Sequence, residues 1–382
     1  MNVAPRTPRR EGTQGWVIGR AAGAPVILSP SWLVAAAVLT LLFVPTVRNL
    51  APWLGGVATY LVALTFVVLL FFSVFLHELA HGFVARSRGL EVREFAITLW
   101  GGHTAFGGAA ATPGSSALIA VVGPLTNLAV AVVCWLAVLA VPAGGLVSIV
   151  LYAGAIANGF VAVFNLIPGL PLDGGRVLEA AVWRTSGDRA RGTIVAGWGG
   201  RVVAIGFVAW VLLRPLLSGR QPDLFTVGWA ALIGAFLWSG ATQAIRGARA
   251  QRALDGLTIA AVARPAVGVP YGVTLGEAES RAVAAGVDQV LLLAPDGRPA
   301  GYVDGAAAAT VPTPARPSTP VQAVAVPLPV GAVVDGALGG AALVEAVGRV
   351  GRFSEAMAVV VDGRVSGIVF ARDVVAALGA RP

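Results

Sequence analysis

The sequence predicts a polytopic α-helical membrane protein with about six transmembrane helices and a soluble α/β module at its C-terminal end. Three observations predict it. First, 57% of the 382 residues are hydrophobic and only 12% are charged, about half the charge of a soluble globular chain, with a mean hydropathy of +0.80. Second, apolar segments run at about 29–46, 54–76 (continuing helically toward 85), 115–141, 146–167, 197–217 and 223–244, each with roughly the 20 residues that cross about 30 Å of hydrocarbon. Third, from about residue 250 charges return, and short apolar runs alternate with Gly, Pro and Asp, as in an α/β fold. This composition excludes an ordinary cytosolic enzyme, a disordered chain and a soluble nucleic-acid binder.

The first segment is interrupted early by Pro30, and the fifth is Gly-rich at its start. The 25 residues before the first span are polar and carry Arg6, Arg9, Arg10 and Arg20, so no cleavable signal peptide is expected. The net charge of +8 comes from 27 basic residues, all arginine, against 19 acids. They cluster at span ends. One side holds the N-terminal arginines, Arg86, Arg88, Arg93, Arg176, Arg184, Arg189, Arg191, Arg246, Arg249 and Arg252, and the other only Arg48, Arg214 and Arg220. The rule that the cytosolic side is positive then puts both termini of a six-span chain in the cytosol. Residues 1–28 are a cytosolic segment and 29–245 the membrane domain. The single cysteine, Cys134, excludes a disulfide framework or a cysteine-based zinc site.

The C-terminal part contains a repeat. Asp296-Gly297-Arg298-Pro299-Ala300-Gly301-Tyr302-Val303 matches Asp362-Gly363-Arg364-Val365-Ser366-Gly367-Ile368-Val369. An apolar strand precedes each Asp-Gly, which predicts two hairpins. Thr274 followed by Glu277 opens a helix as a capping box, and the Pro-rich stretch 312–320 is expected to be a stiff linker. This tandem helix–hairpin–helix pattern resembles a pair of CBS domains, over 256–311 and 320–380. That resemblance implies a regulatory module, one that in many relatives binds adenine nucleotides through Gly-apolar-apolar-Ser/Thr-x-x-Asp. The second copy keeps Asp373 but has Phe370 at the hydroxyl position. The first has Asp304 there and Ala307 in place of the Asp. Weak or absent nucleotide binding is expected, with the module serving dimerisation or substrate docking.

His77-Glu78-Leu79-Ala80-His81 closes the second apolar segment. On a helix, i and i+4 share a face, so His77 and His81 can hold one metal with Glu78 beside it as general base. The chain has three histidines, and ionisable residues in membrane segments are rare and functional by default. A catalytic zinc needs a third ligand. The strongest candidate is Asp173, in Asn165-Leu166-Ile167-Pro168-Gly169-Leu170-Pro171-Leu172-Asp173-Gly174-Gly175-Arg176. Its prolines and glycines are expected to forbid a regular helix, and broken backbone at membrane depth is tolerated where it lines a cavity or is buried in protein.

At these two motifs the chain resembles the site-2 proteases, intramembrane zinc metalloproteases. The resemblance implies one Zn2+ per chain held by His77, His81 and Asp173, catalysis by Glu78, and membrane-spanning substrates of the kind found in bacterial signalling. It also implies that Asn165 helps position substrate or stabilise an oxyanion. Similar GPxxN patterns near the family's site make Asn127, in Gly123-Pro124-Leu125-Thr126-Asn127, a further candidate. Phe95–Ala110 reads as extended and turn-rich, and His103 within it as a polar loop position rather than a ligand. Two other readings stand beside the protease: a CBS-regulated divalent-metal transporter and a catalytically inactive membrane sensor. Ala80 and the lack of an HNxxD motif oppose the first, and the intact set His77, Glu78, His81 and Asp173 opposes the second.

Overall fold

The computed structural model describes residues 13–99 and 101–379. Arg6, Arg9 and Arg10 of the charge asymmetry lie outside them. The chain divides into two compact units between Ala248 and Arg249.

The first unit starts with a hairpin, β1 (Trp16–Ala21) and β2 (Ala24–Leu28). Then come α1 (Ser31–Leu50), α2 (Gly56–Ser87), β3 (Val92–Thr98), β4 (Gly101–Phe106), α3 (Pro113–Leu139), α4 (Leu146–Asn165), α5 (Asp173–Ser186), α6 (Arg189–Leu217) and α7 (Leu224–Asp255). All but α5 are long and apolar enough to cross a membrane, which gives six candidate spans among the described residues. This unit is a multi-pass membrane domain.

The predicted spans hold, with three differences. α6 begins at Arg189 rather than near 197, because Gly192 and Gly197 lie where a Cβ would strike Glu179 and Ile245; they are packing contacts, not helix breaks. α7 runs on to Asp255 with a polar end. The polar N-terminal segment is not featureless: Ala22 and Gly23, both with positive φ, turn the β1–β2 hairpin.

The hairpin joins β3 and β4 in one sheet of order β1-β2-β3-β4, with β2 and β3 parallel. Phe95 of β3 is 1% exposed and lies where only a glycine, Gly82 of α2, leaves room for its ring. Val26, Val92, Phe75 and Leu79 complete that core. The sheet therefore packs on the last turns of α2, beside the histidine motif. His77 is 21 residues from the start of α2, about 32 Å along a helix, a length comparable to the roughly 30 Å of a bilayer's hydrocarbon.

The second unit contains α8 (Ile259–Val262), β5 (Arg264–Pro270), α9 (Leu275–Ala285), β6 (Gln289–Leu293), β7 (Pro299–Val303), α10 (Gly305–Thr310), β8 (Ala325–Pro327), β9 (Val333–Asp335), α11 (Gly340–Val350), β10 (Ala356–Val361), β11 (Arg364–Phe370) and α12 (Ala371–Gly379). Its sheet runs β8-β7-β6-β5-β11-β10-β9 over a core that includes Leu257, Leu343, Met357 and Ile368. Both expected hairpins are present (β6–β7 and β10–β11), and Thr274 caps α9 by accepting from the Glu277 N–H at 3.3 Å. The Pro-rich stretch is not an extended spacer. It folds into 3₁₀ turns at Thr313–Ser318 and Val321–Val324, and Arg316 ties the first to Glu279 of α9 at 2.9 Å.

Candidate metal centre

His77 and His81, one turn apart on α2, bring their Nε2 atoms to 3.0 Å of each other. Oδ2 of Asp173, the first residue of α5, lies 3.0 Å from His77 Nε2 and 3.3 Å from His81 Nε2. Tetrahedral ligands bound at about 2.0–2.1 Å stand about 3.3 Å apart, so these three atoms have the spacing of one face of a zinc tetrahedron. Gly123 of α3 closes the other side. A Cβ there would stand 2.6 Å from His77 Nε2 and press on His81 Nε2, filling the space an ion needs. Among the described residues, His77, His81 and Asp173 form the group able to hold a metal, and the donor set fits zinc with one position left open.

The outer nitrogens of both rings are held from α3. His77 Nδ1 meets Asn127 Oδ1 at 2.5 Å, and His81 Nδ1 meets the Ile119 carbonyl at 2.5 Å. Acceptors at both Nδ1 atoms each take a ring proton, so Nε2 is the nitrogen that each ring would offer an ion.

The backbone breaks over 166–172, as expected, but the helix restarts at Asp173 itself. Gly174 and Gly175 sit in its first turn rather than forbidding it. Their role is close approach: a Cβ on Gly174 would strike the Leu166 and Ile167 carbonyls, and one on Gly175 the Gly169–Leu170 peptide. The same loop lies against Gly199 and Gly200 of α6, and the Leu170 N–H donates to the Ala196 carbonyl at 3.0 Å.

Glu78 lies on the cavity side of the motif. The Thr104 hydroxyl of β4 donates to Glu78 Oε2 at 2.7 Å, and a Cβ on Gly102 would come within 2.7 Å of Glu78 Cγ. β4 is thus laid directly on the acid. A cavity of about 260 Å³ opens there, lined by Glu78, His81, Thr104, Ser116, Asp173 and Arg176 among others.

The remaining sequence candidates fall elsewhere. Asn127 is 1% exposed and stands behind His77, with its amide nitrogen donating to Ser73 and Asn158, outside the cavity lining. Asn165 ends α4, half-buried, outside the cavity lining and with no side-chain hydrogen bond among the described residues. His103 borders the cavity, yet its Nε2 lies 3.8 Å from Glu94 and 3.4 Å from the Thr13 hydroxyl, outside the ligand group. Asp373 opens α12 and is held on both oxygens by Arg264, at 3.0 and 3.2 Å. The Phe370 ring lies beneath the Arg264 and Arg372 guanidinium groups. Sequence reasoning missed Ser73, Asn158 and Thr104. A polar side chain inside an apolar span could have signalled the first two; Thr104, on an exposed-looking strand, gave no signal.

Fold and site together define a class: a multi-pass membrane protein in which an HExxH motif and a distant aspartate form a candidate metal site. Residues 65–149 and 140–207 match the model of peptidase family M50. Over 252 residues the chain is 35% identical to the candidate zinc metalloprotease Rip3 of Mycobacterium tuberculosis, covering 64% of this chain and 62% of that one. It therefore spans less than two thirds of that relative. The solved site-2 protease from Methanocaldococcus jannaschii is similar over 60% of this chain and 94% of its own, at 24% identity and a TM-score of 0.39. The CBS domain of a membrane protein from Sphaerobacter thermophilus is similar over 37% of this chain and 97% of its own, at 20% identity and a TM-score of 0.28.

Proposed function

We propose that the chain is an intramembrane zinc endopeptidase that cuts the transmembrane segments of membrane-tethered signalling proteins. The observation that carries this reading is the convergence of His77, His81 and Asp173 with Glu78 at one cavity. His77, His81 and Asp173 would hold one zinc per chain, which when bound acidifies water and polarises a carbonyl as a Lewis acid. Glu78 takes the proton from the attacking water. With Oε2 accepting from Thr104, Oε1 is the oxygen that receives it, and Glu78 then passes the proton to the departing amine. A helical substrate hides its carbonyls in i→i−4 bonds, so it must unwind locally first, which favours segments already trimmed by another protease.

Zinc content and cleavage of a membrane-anchored reporter test the reading in the purified protein. Both are expected in the wild type, both are lost in Asp173→Ala, and His103→Ala keeps its zinc. Full zinc retention in Asp173→Ala would sink the ligand set.

The arginine asymmetry supports an orientation with residue 382 in the cytosol and the α6–α7 turn outside. Reporters fused after Pro382 and near Gly219 are expected to read inside and outside respectively. An external C-terminal reporter would remove one of the six spans.

The C-terminal unit is read as a CBS docking or dimerisation module. Its one ribose-holding candidate, Asp373, is already neutralised by Arg264, and neither hydroxyl is present. One lost hydrogen bond to a charged group costs about 1.5–3 kcal/mol, so ATP is expected to bind the full chain roughly 10–150-fold more weakly than a complete site. Calorimetry showing low-micromolar binding that vanishes in Asp373→Ala would make the module a nucleotide sensor instead.

A further inference from the structure

α6 and α7 run antiparallel along one seam, where Gly197 faces Ala241 and Ile245, and Gly234 faces Val208. Arg201 of α6 sits in this seam with a charge that no acid answers. Its Nη2 donates to Thr242 Oγ1 of α7 at 3.2 Å, and its Cζ stands 4.6 Å from the Trp198 ring centre and 4.9 Å from that of Trp238. Ring faces offset part of a cation's charge, but a guanidinium has five N–H groups to satisfy. Nε is buried without a partner. Among the described residues no carboxylate pairs with Arg201; Glu78, Glu94, Asp173 and Glu179 are engaged elsewhere, with Thr104, Thr13, the two histidines and Arg189. A cation inside a membrane span is costly and functional by default, and its partner must then come from outside the chain.

The depth of Arg201 names that partner. Arg246, Arg249 and Arg252 follow Thr242 on α7, the first of them one turn on, about 6 Å along a helix. Arg201 therefore stands just inside the arginine-rich end of the spans, within reach of the bilayer's phosphates. Trp198 and Trp238 are 51% and 43% exposed, so they face the bilayer, at the level where tryptophans anchor membrane proteins. We propose that Arg201, Trp198 and Trp238 form a binding site for the phosphate of one anionic phospholipid. The guanidinium fork matches two phosphate oxygens, and the arginines beyond it disfavour a headgroup that carries its own cation. Trp198, Val202 and Ile205, all exposed, share one face of α6 and give the acyl chains an apolar track into the bilayer. The same seam backs the loop before Asp173: Gly199 and Gly200 lie against residues 168–170, and Gly240 against Pro171. A lipid seated here braces the two helices that hold that loop, with or without a metal.

The test titrates the full chain, stripped of lipid in detergent, with phosphatidylglycerol, phosphatidylcholine and inorganic phosphate in turn. Native mass spectrometry counts what binds, and thermal unfolding reads its effect. Phosphatidylglycerol is expected to fill one tight site per chain and to raise the unfolding temperature, with phosphatidylcholine binding more weakly. Arg201→Gln is expected to weaken phosphatidylglycerol by about 10–150-fold, the fold-change for one lost hydrogen bond to a charged group. Should that variant not fold, Arg201→Lys decides: it keeps the charge without the fork, and a smaller loss in the same direction is expected. If Arg201 only joins α6 to α7, both variants unfold earlier with and without lipid while phosphatidylglycerol affinity stays unchanged, and that result overturns the site. Equal affinity for the two lipids, or saturation by inorganic phosphate alone, overturns the assignment to an anionic lipid. Unchanged lipid affinity in Arg201→Gln with loss of cleavage confined to reporters carrying an acidic side chain would give the cation to a protein partner instead.

Discussion

Glu78→Gln is expected to lower cleavage by about 10²–10⁴-fold, the usual contribution of a positioned general base, while zinc occupancy stays at the wild-type level. The two readings separate because Glu78 is outside the group formed by His77, His81 and Asp173. Glutamine has the same shape, and its amide oxygen can still accept from the Thr104 hydroxyl that holds Glu78 Oε2 at 2.7 Å. The neutral amide cannot take a proton from water. Zinc analysis and a cleavage assay on the same preparation measure both quantities. Near-normal turnover in the variant would assign proton transfer to another group.

Gly123→Ala is expected to have the largest effect on the metal centre of any single methyl in the chain. The added carbon would stand 2.6 Å from His77 Nε2, in space that an ion bonded at about 2.0 Å to the same nitrogen must occupy. Alanine is the better helix former by about 1 kcal/mol, so α3 itself gains rather than loses. Zinc affinity is therefore expected to drop by about 100-fold or more, the upper end for disturbing a metal's surroundings, and cleavage with it. Thermal unfolding of the metal-free protein should show a loss as well, of about 1–3 kcal/mol from overpacking, because the methyl must displace two rings that Asn127 and the Ile119 carbonyl hold from behind. An alanine variant that retains its zinc would show that the ion lies elsewhere.

The spans could be read from the sequence because a bilayer demands about 20 apolar residues and tolerates few charges. His77 and His81 were legible because helical spacing alone puts them on one face. Asp173 could be named by its motif, but its helix could not: propensity scores Gly174 and Gly175 as breakers, while the folded chain uses their missing side chains to seat the 166–172 loop on α5. The β1–β2 hairpin stayed hidden in a polar stretch, since what fixes it is parallel pairing with β3 from far along the chain. Asn127 was picked out by its motif, but its place behind His77 was not. Which way an amide faces depends on Ser73 and Asn158, residues from two other helices, and no local pattern carries that.

The glycine seam around Asp173 also bears on how this chain can change over generations. Gly174 and Gly175 on α5, and Gly199 and Gly200 on α6, each face backbone at a distance no side chain can enter. Every glycine codon is a single base from an alanine codon, so each of these positions is constantly offered the substitution it can least accept. Relief would require the facing segment to shift at the same moment, and that segment leads directly into Asp173. The loop and its two helices can thus drift only in concert.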